Sequence, residues 1–371
     1  MFNINKEVNM THLETWLGQE KIDELRRNIK NWYGEPICIL DLPGSVWLHA
    51  DGTFTGKLKY GFFSSALDYL EDFNKRLDRH LLTPSFNVGF SSISDALLRA
   101  SSGYSQRKNF NKTGVTGVSS VSSSLWMSSG QPGAGAAPAA APGGTVHVNT
   151  DQGSMKFTAP SGGGTNHLVG ADVSATTINN SLLFYDRLFA VAKTMNSTAT
   201  EAVTGVPTRY QSTTTTDPDF CGGNFLFVEV GDTQLAATSH NWTVCKYTDN
   251  RNTVTDLPSF AGASGAIVQR LDHPTSQWFA TLDPLSVGVK NLTQMQCSAA
   301  VTPGTIAFVI GHPIGFMSFP IANIMMPFDW LTNRDQAPRI YDNACLAFLE
   351  MMKPTSTASN YAGRIYVTGA A

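Results

Sequence analysis

Apolar residues in the first part of the chain recur at helical spacing. Leu13, Trp16, Leu17, Ile22, Leu25, Ile29 and Trp32 follow a capping box formed by Thr11 and Glu14. The spacing then changes. Ile37–Leu40, Val46–His49 and Phe54–Tyr60 read as short strands, the last two turning at Asp51-Gly52, a dipeptide suited to a hairpin. Helical spacing returns near Ser64 or Ser65 with Leu67, Leu70, Phe73, Leu77 and Leu81, and Pro84 ends it. A shorter helix is expected over 92–101.

The most apolar helical pattern lies over 178–195. One stripe runs through Ile178, Leu182, Tyr185, Phe189 and Ala192, a second through Phe184, Leu188, Val191 and Met195. A helix apolar almost all round is buried between layers, so this segment is expected to be the central helix of the main domain. From Thr204 onward, short apolar runs between turn residues predict strands at Asn224–Val230, Thr243–Tyr247, Gly265–Leu271, Gln277–Thr281, Gln294–Val301, Thr305–Gly311 and Ala362–Thr368. A further helix is expected over Arg339–Met352. The expected fold class is α+β: a helical N-terminal part with a β-hairpin (1–112), an extended Gly/Ala/Ser-rich arm (113–165), and a β-rich main domain with a buried central helix (166–371).

Charge sharpens this division. Segment 113–181 holds only Lys156, Asp151 and Asp172, and its core, Ser119 to Pro160, is dense in Gly, Ala, Ser and Pro. Such a run cannot by itself bury enough apolar area to offset its ordering entropy. If ordered, it is held from outside, and the expected holder is a neighbouring copy that the arm wraps. Leu125, Trp126 and Met127 form an apolar knob in this inert stretch, either an anchor in a neighbour's pocket or a plug in the chain's own body. Charged residues make up 15% of the chain and the net charge is −3, which gives no global pull toward nucleic acid or anionic lipid. Locally, Arg107, Lys108 and Lys112 sit beside Tyr104 and Phe110, a small basic cluster able to touch packaged DNA non-specifically or an acidic partner.

Enzyme signatures are missing: there is no nucleophile elbow, Walker loop, HExxH or zinc-type Cys/His spacing, so no catalytic residue, cofactor or metal is expected. Asp272-His273, His312 and Cys221 are better read as turn and core residues than as acid, base or nucleophile. The five cysteines are scattered, which fits reduced thiols. The start, MFNINKEVNM, has no apolar core for a signal peptide, and no apolar run is long enough to span a bilayer.

The stretch Asn180–Gln211, then Cys221–Val230, Ala344–Met352 and the tail RIYVTG, resembles structural proteins of tailed bacteriophages, over about residues 166–371. The likeness is greatest to their major capsid proteins. It implies a spine helix at 65–82 or 178–195, a β-rich lobe after 204, self-assembly into an icosahedral shell with other virion proteins, and a virion location after synthesis in the host cytoplasm. A tail, decoration or head-completion role, including host-receptor binding through Asn241-Trp242 or Gln277-Trp278, is the alternative.

Overall fold

A computed structural model of the chain describes residues 37–40, 46–48, 54–56, 98–100, 105–160, 164–330, 337–351 and 355–370. The backbone divides into two compact units, Met1–Leu82 and Thr83–Ala371. In the first, Ile37–Leu40, Val46–Leu48 and Phe54–Gly56 pair antiparallel as the hairpin pattern predicts, with Leu48 opposite Phe54. The helices expected over 11–32 and 65–82 lie outside the described residues. Of the helix expected over 92–101, residues 98–100 are described and are helical.

The second unit is built from antiparallel strands. Its main ones are β1 (Ser105–Thr113), β2 (Thr165–Ala175), β3 (Asn180–Thr194), β4 (Phe225–Val230), β5 (Asn241–Asp249), β6 (Val289–Cys297), β7 (Thr305–Phe319), β8 (Leu346–Met351) and β9 (Asn360–Ala370). A central sheet runs in the order β4, β7, β3, β8 and the short strand Ser123–Ser124, with Thr145–Val146 beside the later part of β3. One flanking sheet runs Met326–Asp329, β2, β9, β1, Gly130–Gln131; the other runs Glu201–Ala202, β6, β5, Val254–Asp256.

The long strands β3 and β7 organise everything else. They pair from Thr305 opposite Thr194 to Phe319 opposite Asn180, with irregularities at Ile310/Gly311 and Pro313/Gly315. At the first of these Leu188 has no partner in the register, so one face carries even-numbered β3 residues before it and odd-numbered ones after it. On that face Leu182, Phe184, Met317 and Phe319 pack on Leu168, Val173, Ile365 and Val367 of the first flanking sheet. Further along, Phe189, Val191, Ile306 and Phe308 pack on Trp242, Tyr247, Leu292 and Met295 of the second. The opposite face, with Leu183, Tyr185, Ala190, Phe227 and Val309, is covered by Trp126 and Leu271.

This corrects the fold class. The described residues are about 1% helical and their regular structure is nearly all β-sheet, which overturns the expected α+β class for them. The expected central helix at 178–195 is the strand β3, because its two apolar stripes are the two sides of a strand buried on both faces. The expected helix at Arg339–Met352 is instead two strands, Arg339–Ile340 and β8, and all six residues of β8 are buried. Gly265–Leu271 and Gln277–Thr281 are turns and isolated bridges rather than strands.

The Gly/Ala/Ser-rich segment is held by its own chain. Leu125 N–H donates to Phe348 O at 3.0 Å, Ala192 N–H to Ala139 O at 2.9 Å, His147 N–H to Leu188 O at 3.1 Å, and Met155 N–H to Leu346 O at 2.9 Å. The segment thus satisfies backbone groups along the edges of β3 and β8 that would otherwise be unpaired. Its small residues let the backbone lie close: a Cβ on Gly135 would meet the Trp126 ring at 2.1 Å, and one on Gly153 would meet it at 2.7 Å.

Candidate assembly surface

The apolar knob at 125–127 is a plug. Leu125 is fully buried, Trp126 is 2% exposed and Met127 is half-buried against the same core. Trp126 donates its Nε1–H to Ala136 O at 2.8 Å, meets His147 edge-on at 5.0 Å between centroids, and lies under the Arg187 guanidinium at 4.8 Å. Its pocket is intramolecular, so the segment around it is a cover for the central sheet.

The three basic residues do not converge. They alternate along β1, with Arg107 on the exposed side and Lys108 and Lys112 on the other. Lys112 is 3% exposed and donates Nζ–H to Ser128 O at 3.1 Å and Gly133 O at 3.2 Å, tying the cover to β1. Burial lowers its pKa to about 8. A nucleic-acid contact through this lysine is incompatible with that placement; Arg107 is free of that restraint.

The polar residues weighed as chemistry prove to be core. His273 Nε2 accepts from Val228 N–H at 3.0 Å, and burial lowers its pKa to about 4. His312 stacks on Tyr210 at 3.7 Å and burial takes it to about 3. Burial raises the Cys221 thiol. Trp242, considered for host binding, is 1% exposed and donates Nε1–H to Asp272 at 2.8 Å, while Trp278 is half-buried edge-on to Phe225.

Sequence reading misses two buried charge clusters whose members are far apart along the chain. Asp186 and Arg187 are adjacent in β3, so their side chains leave opposite faces. Asp186 takes both Nε–H and Nη2–H of Arg209 at 2.8 and 2.7 Å. Arg187 grips Glu229 through both terminal nitrogens at 2.6 and 3.3 Å and donates Nε–H to His147 Nε2 at 3.1 Å. The His147, Asp151 and Cys345 donor atoms lie within 4.8 Å of one another, close enough to face one cation. The hydrogen bonds do not fit that use. Because Arg187 donates to Nε2, the ring proton sits on Nδ1, which hands it to Asp151 at 2.7 Å. Burial, and then the Arg187 charge, lower His147 to about 4.

The second cluster is His240–Asp272. Nε2 of His240 faces the Asp272 carboxylate at 3.0 Å and Nδ1 faces Thr238 O at 3.1 Å, so both ring nitrogens have acceptors, an arrangement that favours the imidazolium. Burial opposes the charge, but Asp272 outweighs it and holds the pKa above 6.5. A raised pKa contributes stability fully below the unfolded value and loses it as pH rises through the folded one. Stability by urea denaturation is therefore expected to fall as pH rises above about 6.5, and H240N should flatten this slope. An unchanged slope in H240N would place the pH dependence elsewhere.

Apolar side chains come to the surface in two places. At the end of the body where β3 begins, Ile178, Ile321, Ile324 and Met325 are 50, 54, 48 and 52% exposed. Beside the Asp249–Val289 end of the second flanking sheet, Val254, Leu285 and Val287 are 59, 70 and 59% exposed. Among the described residues no helix is long and apolar enough to cross a membrane.

Fold and surface together define a three-sheet antiparallel β body with exposed apolar side chains at two places. No family model and no curated protein matches the sequence. Two solved structures superpose weakly. One is the structure of infectious bursal disease virus Gt strain, with TM-score 0.14 and 10% identity over 78% of this chain and 86% of that one. The other is the crystal structure of an infectious bursal disease virus VP2 subviral particle, with TM-score 0.13 and 12% identity over 79% of this chain and 86% of that one. Superpositions at this level do not define a shared fold.

Proposed function

We propose that this chain is a structural subunit of a virion that assembles with copies of itself, and that it serves as the major capsid protein of a tailed bacteriophage. The observation that carries the reading is the pair of exposed apolar places, Ile178/Ile321/Ile324/Met325 and Val254/Leu285/Val287, on one body. A shell subunit needs self-contacts in more than one direction, and solvated apolar side chains supply the driving force for them. The chain's internal economy fits: its charged clusters and most polar motifs are consumed in holding the body together. The finer assignment rests on the sequence resemblance over 166–371 alone, because the spine helix that resemblance implies at 178–195 is the strand β3.

The full chain expressed alone is expected to sediment as large assemblies with regular outlines by negative-stain microscopy. Quantitative mass spectrometry of the particles made in the producing host then separates a shell protein, present in many copies, from a tail or vertex protein. A chain that stays monomeric up to its solubility limit would overturn the reading.

A further inference from the structure

His147 ties the cover to the central sheet through a ring whose two nitrogens have fixed roles. It follows Thr145–Val146, which pairs with Ala190 and Phe189 of β3, and its own N–H donates to Leu188 O. Its Nε2 accepts from Arg187 Nε–H at 3.1 Å, and its Nδ1–H donates to Asp151 at 2.7 Å. Asp151 and Trp126 reach the ring from the cover, Arg187 and Tyr185 from β3, Glu229 from β4, and Cys345 from the residue before β8. Arg209 lies at the backbone, donating Nη2–H to His147 O at 3.0 Å, and Asp186 matches its charge. Burial pushes Tyr185 and Cys345 upward, so both stay neutral in acid. Asp151 is held below the usual carboxylate range by its bond to His147 and stays ionised. Within 139–149 His147 is the one titratable side chain.

A second ring proton can enter only at Nε2, the atom that Arg187 occupies. A guanidinium donates and never accepts, so the pair cannot reverse its bond. Protonation would set two cationic donors face to face at the same short distance. Glu229 cannot bridge them, because both its oxygens are already taken by Arg187. Asp151 already receives the Nδ1 proton, so it offers the new charge no further bond. Relief comes when the ring withdraws, and the segment carrying the ring closes the β3 edge.

We propose that His147 is a proton-operated latch: a proton on Nε2 breaks the bond to Arg187 and releases segment 139–149, uncovering the Leu188–Ala192 edge of β3. The rest of the body keeps its pairing, since β3 stays bonded to β7 from end to end. In the released segment the histidine is ordinary and takes its proton near pH 6.5, whereas the closed form takes one only near 4. A depressed histidine contributes stability fully above 6.5 and loses it as pH falls toward 4, so acid favours release. The latch is independent of the assembly reading.

Hydrogen exchange of the full chain, read by mass spectrometry and corrected for the intrinsic pH dependence of the amides, tests it. The opening constant of 139–149 should rise by about tenfold for each pH unit below about 6.5, the slope of one bound proton. In H147Q, whose amide oxygen can accept from Arg187 but gains no proton, that slope should flatten. Cover amides that exchange no faster than those of β7 at any pH, or a slope unchanged in H147Q, would overturn the latch. Should H147Q fail to fold, the ring nitrogen shifts of the wild type decide. A neutral Nδ1–H tautomer is expected to persist from about pH 7 to about pH 5, and a ring that titrates near 6.5 would overturn the proposal.

Discussion

Replacing Trp126 with alanine is expected to destabilise the second unit by about 3–5 kcal/mol, the range for removing a large buried aromatic. The substitution removes more than contact area. Gly135 and Gly153 are small because the indole fills the space where their side chains would stand, so the cavity left behind has backbone on two sides and little freedom to collapse. The indole also gives one face to the Arg187 guanidinium and its N–H to Ala136. Urea denaturation measures the loss. Limited proteolysis should show new cleavage between 128 and 155 under conditions where the wild type is intact. A loss below about 1 kcal/mol would mean that the backbone bonds to β3 and β8 hold the cover without its plug.

Arg187→Met is expected to be comparably severe, about 3–5 kcal/mol, for an electrostatic reason. Glu229 is 1% exposed, and both of its side-chain oxygens are taken by Arg187. Without the guanidinium a carboxylate is stranded in the interior. The double variant R187M/E229M removes both charges and should recover most of the stability, since an apolar pair of similar volume replaces an ion pair with little net cost. The single variant should also raise the His147 pKa from about 4, because the Arg187 charge is one of the causes that depress it. An NMR titration of His147 reads that shift. Trp126 and Arg187 touch, so their losses should not add, and a double-mutant cycle should show coupling.

The sequence spoke clearly where a strand has one solvated side or a marked turn. The hairpin beginning at Ile37 and the strands at Phe225, Asn241, Val289, Thr305 and Asn360 lie close to where apolar spacing places them. It misled where a long apolar run buried on both sides has no turn residue to bound it. The stretch 180–194 has β-branched residues only at Val191 and Thr194, and its Leu, Phe and Ala are equally at home in a helix, so neither period nor propensity separates the two forms. The 113–165 segment misled differently. Its composition argues that it needs a partner to be ordered, but composition does not say whether the partner is another chain or the free edge of the same one. The charge clusters were illegible because Asp186 finds Arg209, and Arg187 finds Glu229 and His147, only once the sheet is closed.

The cover also sets where this molecule tolerates change. Between its plug and the turn back to β3, the cover is held mostly by its own backbone atoms, some of them bonded to side chains such as Trp126 and Lys112. Ala136 and Ala137 are exposed, and the bonds on either side, at Gly135 N–H and Ala139 O, anchor the chain independently. Lengthening a loop adds entropy slowly, about 0.6 kcal/mol for each doubling. A foreign peptide spliced after Ala137 would therefore hang from the outside of this unit, clear of the Gly135 that packs on Trp126, making Ala136-Ala137 a natural site for display.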